Sequence, residues 1–233
     1  MRAYLWMTLA CAACADVAQP FDLDHARVMA VRVDPPAIGA GETAHIDALV
    51  TDSTITPRVA AATAVDIALP PEAAGFAALL VRTDDGWQLT APDGAMLAAA
   101  RAQAGLAADA PLIVALALTV TTLDGPLTAT KTVAIGATAA NPPAPAILLD
   151  GAAAPLTLTA DLDAHLTVAA PLPDHDYRWF SSVGDLVGYT RDDARITPIG
   201  PGDGWIVVVD RDQAGGTAWT IAPAEVVAPA RAR

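Results

Sequence analysis

Two antiparallel β-sandwiches in tandem, with one short helix set into the first, form the all-β fold that this chain predicts. Three observations carry the expectation. Apolar and polar residues alternate with a period of two through most of the chain, which is the signature of half-buried strands. Gly, Asp and Pro turn signals separate these runs at roughly ten-residue spacing. Between the halves, Ala139-Ala140-Asn141-Pro142-Pro143-Ala144-Pro145 favours an extended, semi-rigid spacer, because proline fixes the backbone and cannot join a sheet ladder.

Taken in order, Arg27 to Asp34 reads as the first strand. Met29, Val31 and Val33 lie on the expected core face, with Val28, Ala30 and Arg32 opposite; Pro35-Pro36 ends it. Thr43 to Thr51 follows the Gly39-Ala40-Gly41-Glu42 turn. Its Ala44, Ile46, Ala48 and Val50 face inward, and His45, Asp47 and Leu49 face outward, as in an antiparallel sheet with one wet face. Strands follow at Val65–Leu69 and Phe76–Arg82, then a hairpin turn at Asp84-Asp85-Gly86 and a short strand at Trp87–Thr90. Asp93 is a good helix N-cap, the alanine-rich residues 94–104 carry Met96, Leu97, Ala100 and Ala104 at helical spacing, and Gly105 is a good stop. Leu112–Thr121 and Leu127–Ile135 flank Asp124-Gly125, a strong hairpin signal. Past the spacer, short strands read at Ala146–Leu149, Leu156–Ala160, Ala164–Ala169, Tyr177–Ser181, Trp205–Asp210 and Gly216–Ile221.

The resulting division is a leader over 1–15, a tether over 16–26, a first domain over 27–138, the spacer over 139–145, a second domain over 146–228 and a tail over 229–233. Met1-Arg2 followed by an apolar run from Ala3 to Ala13 reads as an export signal; at about 11 residues the run is too short to span a bilayer. Cys11 and Cys14 each follow an alanine, so either suits lipid attachment, although neither has leucine three positions earlier. Cleavage at Ala13-Cys14-Ala15, leaving Asp16 first, is the competing reading, and an uncleaved anchor is the third. The expected location is periplasmic or outer-membrane-associated, with the membrane as a partner through a lipid anchor.

Composition narrows the chemistry. The chain of 233 residues has a formal net charge of −13. Such a surface repels nucleic acid and anionic headgroups, and it lacks the basic stripe of a nucleic-acid binder. No cysteine follows Ala15, so the folded part has no disulfide, thiol nucleophile or cysteine-type zinc site. Lys131 stands alone against twelve arginines, and Asn141 is the single asparagine.

Three segments carry a resemblance. Residues 27–52 (RVMAVRVDPPAIGAGETAHIDALVTD) resemble the opening of immunoglobulin-like modules in bacterial surface proteins. Residues 176–186 (DYRWFSSVGDL) resemble their central strand, with Trp179 in the core, and residues 205–221 (WIVVVDRDQAGGTAWTI) resemble their terminal hairpin. With the mid-chain helix and the Thr130-Lys131-Thr132-Val133 strand, the whole is similar to uncharacterised lipoproteins of myxobacteria. The resemblance implies two immunoglobulin-like sandwiches and no particular activity, since this architecture hosts many functions.

Candidate sites are weighed against plain structure. Asp174-His175-Asp176, with Asp161, Asp163 and His165 upstream, suits a divalent cation or a solvated turn; in a strand His175 points away from both carboxylates. Asp210 and Asp212, followed by Gly215-Gly216 and joined by Asp203 and Asp185, suit calcium or a glycine-containing hairpin loop. Trp205 and Trp219 flank that loop; a pairing sum near about 425 sets them almost opposite, as a cross-strand pair or as a platform for a sugar. Ser181 and Ser182 lie outside a nucleophile-elbow pattern, and Gly200-Pro201-Gly202-Asp203-Gly204 lacks the helix and lysine of a phosphate loop. The expected role is therefore non-enzymatic: interaction, adhesion or scaffolding in the cell envelope. The alternative is a glycan- or calcium-binding module using residues 203–219, with calcium as the one conceivable cofactor and a protein or glycan as the partner.

Overall fold

The structure is a computed structural model that describes residues 19–68, 79–84, 86–153 and 155–230. The leader, with Cys11 and Cys14, lies outside the described residues, as do the start of the 16–26 tether and the beginning of the strand expected at Phe76.

The first sandwich contains β1 (Arg27–Asp34), β2 (Ala37–Ile38), β3 (Thr43–Thr51), β4 (Arg58–Ala60), β5 (Ala64–Ala68), β6 (Leu80–Thr83), β7 (Gly86–Thr90), α1 (Gly94–Gln103), β8 (Leu112–Thr122) and β9 (Gly125–Ile135). One sheet runs β1-β3-β7-β6, with β4 also on β3; the other runs β2-β9-β8-β5. The second sandwich contains β10 (Ile147–Leu149), β11 (Ala152–Ala153), β12 (Leu156–Thr159), β13 (Ala164–Val168), β14 (Asp176–Ser181), β15 (Gly184–Val187), β16 (Asp193–Pro198), β17 (Gly202–Arg211) and β18 (Thr217–Val227). Its sheets run β11-β10-β13-β16-β15 and β12-β18-β17-β14. The two modules share one connectivity: a five-stranded sheet opposes a four-stranded one built on the last hairpin, and a short early strand (β2, β12) lies parallel to the final strand (β9, β18). That is the immunoglobulin arrangement.

Alternation sets each core. Ala44, Ile46, Ala48 and Val50 of β3 meet Leu112, Val114, Leu116 and Leu118 of β8 in the first; Trp179, Leu166, Ile196, Ile206 and Val208 fill the second. Helix α1 bridges β7 to β8 with Leu97 and Ala100 buried. Asp93 caps it by accepting from the Met96 amide at 2.8 Å, and Gly105 leaves it at φ 66°.

A third apolar core, absent from the sequence expectation, joins the modules. Leu23, Met29, Ala30, Leu49, Phe180, Val207 and Val209 are buried together, with Trp205, Trp219 and Ile221 packed on them. On β17, Ile206 and Val208 turn into the second module while Val207 and Val209 turn toward the first, so this sheet is covered on both faces. Three expectations change as a result. Leu49 and Asp47 of β3 are buried, not wet. A bulge between Val28 and Ala30 breaks the alternation of β1, so Ala30 joins Met29 at the seam while Val31 and Val33 keep the first core. Residues 19–26 are no free tether: Phe21 enters the second core and Leu23 the seam, held by hydrogen bonds from the Ser181 amide to the Phe21 carbonyl (2.9 Å) and from the Leu23 amide to the Ser181 carbonyl (3.1 Å).

The 139–145 segment is likewise tied down. The Asn141 side chain donates to the Val33 carbonyl and the Asp34 carboxylate, both at 3.0 Å, and accepts from the Thr217 amide at 2.8 Å. Arg32 forms a two-point pair with Asp47, its cross-strand neighbour, at 2.6 and 3.2 Å, and lies 4.5 Å from the centre of the Trp219 ring. A half-desolvated cation on an indole face contributes about 1 kcal/mol to the seam.

Asp52 closes the turn after β3. It accepts from the Thr54 hydroxyl (2.6 Å), the Thr54 amide (3.1 Å) and the Arg58 guanidinium (2.8 Å). The Thr54 hydroxyl first, and then Arg58, hold its carboxyl down at about 2. Its folded-state pKa lies below its unfolded one, so its contribution is complete above about pH 4 and lost as pH falls toward about 2. Asp52→Asn is expected to lower Tm at neutral pH, with the gap from the native protein closing across that acid window. A gap that persists unchanged to about pH 2 contradicts the assignment.

Candidate functional site

The terminal hairpin β17–β18 organises every surface of interest. Its pairing sum is 428, set by Gly202↔Val226 and Arg211↔Thr217. Trp205 therefore faces Pro223 and Trp219 faces Val209, so the two indoles are not the cross-strand pair the sequence suggested. They share a face but part in role. Trp219 lies beneath Arg32 at the seam, whereas Trp205 walls a groove of about 330 Å³ with Pro155, Pro223, Asp203 and Glu225.

The Trp205 groove is held by local geometry. Ser182 grips the Trp205 backbone on both sides: its hydroxyl accepts from the Trp205 amide at 2.9 Å, and its amide donates to the Trp205 carbonyl at 3.0 Å. The turn can approach because residue 204 is glycine; a Cβ there would collide with the Val183 and Ser182 side chains. Asp203 and Glu225 are direct cross-strand partners and both exposed, giving the groove an acidic lip. Like charges set opposite one another cost stability.

The carboxylates proposed for calcium do not converge. Asp203 lies seven residues along β17 from Asp210, roughly 23 Å in an extended strand. Asp210 is buried against the His175 imidazole, Nδ1 to Oδ1 2.7 Å, and burial pushes its carboxyl up against the opposing pull of that bond. Asp212 accepts from the Gly216 amide at 2.6 Å and so closes the hairpin loop. The upstream set is dispersed too: Asp163 accepts from the Thr197 hydroxyl at 2.6 Å and lies 3.5 Å from Arg195. Among the described residues, no group of three or more His, Cys, Asp or Glu side chains is placed to hold a metal ion.

His175 thus meets Asp210 rather than its sequence neighbours, and stacks 6.4 Å from Tyr177. Ser181 spends its hydroxyl oxygen on the Val183 amide at 3.0 Å, and Ser182 on Trp205. Two residues overlooked as site candidates are Lys131 and Arg211. Lys131 Nζ donates to the Gly215 carbonyl (2.6 Å) and the Thr217 hydroxyl (2.8 Å), and Arg211 donates to the Met29 carbonyl (2.8 Å). Each reaches from one module to the other. The solitary status of Lys131 was the available signal.

No protein-family model and no curated protein sequence matches the chain. Similar solved structures include a nucleoside hydrolase-related protein from Saccharophagus degradans associated with carbohydrate metabolism (17% identity, TM-score 0.29, 39% of this chain and 26% of that one). Murine CEACAM1b is 11% identical with a TM-score of 0.29, over 85% of this chain and all of that one. The fibronectin(III)-like modules of Clostridium thermocellum CbhA are 14% identical with a TM-score of 0.30, over 85% of this chain and 95% of theirs. This chain spans about a quarter of the first of these proteins.

Proposed function

We propose that this chain is a non-enzymatic module of the cell envelope, exported by its leader, whose two sandwiches act as one rigid body presenting the Trp205 groove to a partner. The observation that carries the reading is the third core. A flexible tandem loses orientation freedom whenever it binds, whereas a pre-set pair of modules does not. The docking of Phe21 and Leu23 supports attachment close to a membrane: Gln19 follows Cys14 by five positions, a covalent reach of at most about 18 Å. Among the described residues no helix is long and apolar enough to cross a membrane. The use of the Ser181 and Ser182 hydroxyl oxygens by backbone amides supports interaction over nucleophilic chemistry.

The test is photocrosslinking in cells with p-benzoylphenylalanine in place of Trp205, beside a control with the same group in place of exposed Leu123. Adducts specific to position 205 in the envelope fraction are expected. A chain recovered from the cytoplasm, or equal adducts from both positions, contradicts the reading.

A glycan as that partner is favoured by one observation, an indole beside two carboxylates in a groove, which suits stacking on a sugar face with hydrogen bonds to its hydroxyls. On a glycan array, Trp205→Ala is expected to abolish any signal and, because Trp205 also packs on the third core, to lower Tm modestly, while Trp219→Ala, which loosens the same core, leaves the signal. Retention of the signal in Trp205→Ala overturns the glycan assignment.

A further inference from the structure

We propose that the cleft between the two modules binds a small organic carboxylate between Lys131 and Arg211. The cleft measures about 580 Å³. One cation comes from each sandwich, Lys131 from β9 and Arg211 from β17, and Val28, Val31, Ala115 and Ala129 supply apolar wall. The cations are held in place by uncharged acceptors, namely the Gly215 carbonyl, the Thr217 hydroxyl and the Met29 carbonyl. Among the described residues neither forms an ion pair within 4.0 Å.

Charge sharpens the argument. The chain carries twice as many acidic as basic residues, yet two cations line this cleft, and Arg178 on the neighbouring strand β14 adds like charge to Arg211. Asp176 and Asp212 are the carboxylates in range; Asp176 pairs with Arg211 in register, and Asp212 is engaged by the Gly216 amide. Burial first, and then Arg211, pull the Lys131 ammonium down to about 8. Burial likewise holds Arg211 below the usual guanidinium range. Two like charges desolvated together are costly unless an anion joins them, and a carboxylate between an ammonium and a guanidinium accepts strong charge-assisted hydrogen bonds. The apolar wall selects a ligand with a short hydrocarbon body.

Because Lys131 is the single lysine, acylation of side-chain amines reports on this cleft alone. The test uses the full chain with octanoate as probe and octanol as its neutral counterpart. Octanoate is expected to bind by calorimetry and to slow acetylation of Lys131 by acetic anhydride, read by peptide mass spectrometry, while octanol does neither. Lys131→Gln and Arg211→Gln are each expected to weaken octanoate binding about tenfold or more, and Lys131→Arg to retain it. Absence of protection in the native protein overturns the proposal, as does equal protection by octanol or an unchanged, native affinity in the two Gln variants. The labelling arm needs no variant, so it remains decisive if a substitution unfolds the chain. It is also independent of the Trp205 groove, whose crosslinks report on the other reading.

Discussion

Val207→Asp is expected to divide the molecule into two sandwiches that tumble and melt separately. Val207 is fully buried, and it belongs to the third core, not to either module's own. An ionised carboxylate there lacks a partner, and leaving it buried costs several kcal/mol. Separation of the modules offers a cheaper route, because residue 207 then faces water on the outer side of its sheet while Ile206 and Val208 still fill the second core. Scanning calorimetry is expected to replace one transition by two, with Val207→Ala retaining one transition at a cost of about 2 kcal/mol. A single transition at the native Tm in Val207→Asp contradicts the role given to the seam.

Trp179→Ala is expected to have the second large effect, on the second module itself. Trp179 is fully buried, and its indole N–H donates to the Arg191 carbonyl at 2.8 Å. Truncation removes a large core side chain, at about 3–5 kcal/mol, and leaves that carbonyl without its donor, at about 1–3 kcal/mol more. Losses of that size consume most of a typical domain's stability. In denaturant titrations the midpoint is expected to fall sharply, with Trp179→Phe intermediate. A midpoint within error of the native value contradicts the packing.

How far the sequence foretold this depends on the face considered. Inward faces were legible: Ile46, Ala48 and Val50 alternate cleanly, Asp93 capped its helix as expected, and Asp124-Gly125 closed its hairpin. The strands β15 and β16 were missed, since Gly184–Val187 is short and charged residues interrupt Asp193–Pro198. The seam was hidden for a different reason. A period-two pattern assigns one face to the core and the other to water, and it has no category for a face covered by a second module. The continuous run Ile206-Val207-Val208-Val209 and the lone apolar Leu49 on a nominally wet face were the available signals. Prolines 142, 143 and 145 predict a spacer because proline stiffens a chain; the anchoring of Asn141 between Val33 and Thr217 depends on tertiary contacts that composition does not encode. Asp203, Asp210 and Asp212 are close in sequence, but a straight strand holds the first far from the others.

The central claim is that the two sandwiches form one rigid body. Residual dipolar couplings from backbone amides of the partially aligned native protein test it most directly. One alignment tensor is expected to fit β1–β9 and β10–β18 together. Two tensors of different magnitude would mean that the modules move independently, and would contradict the account.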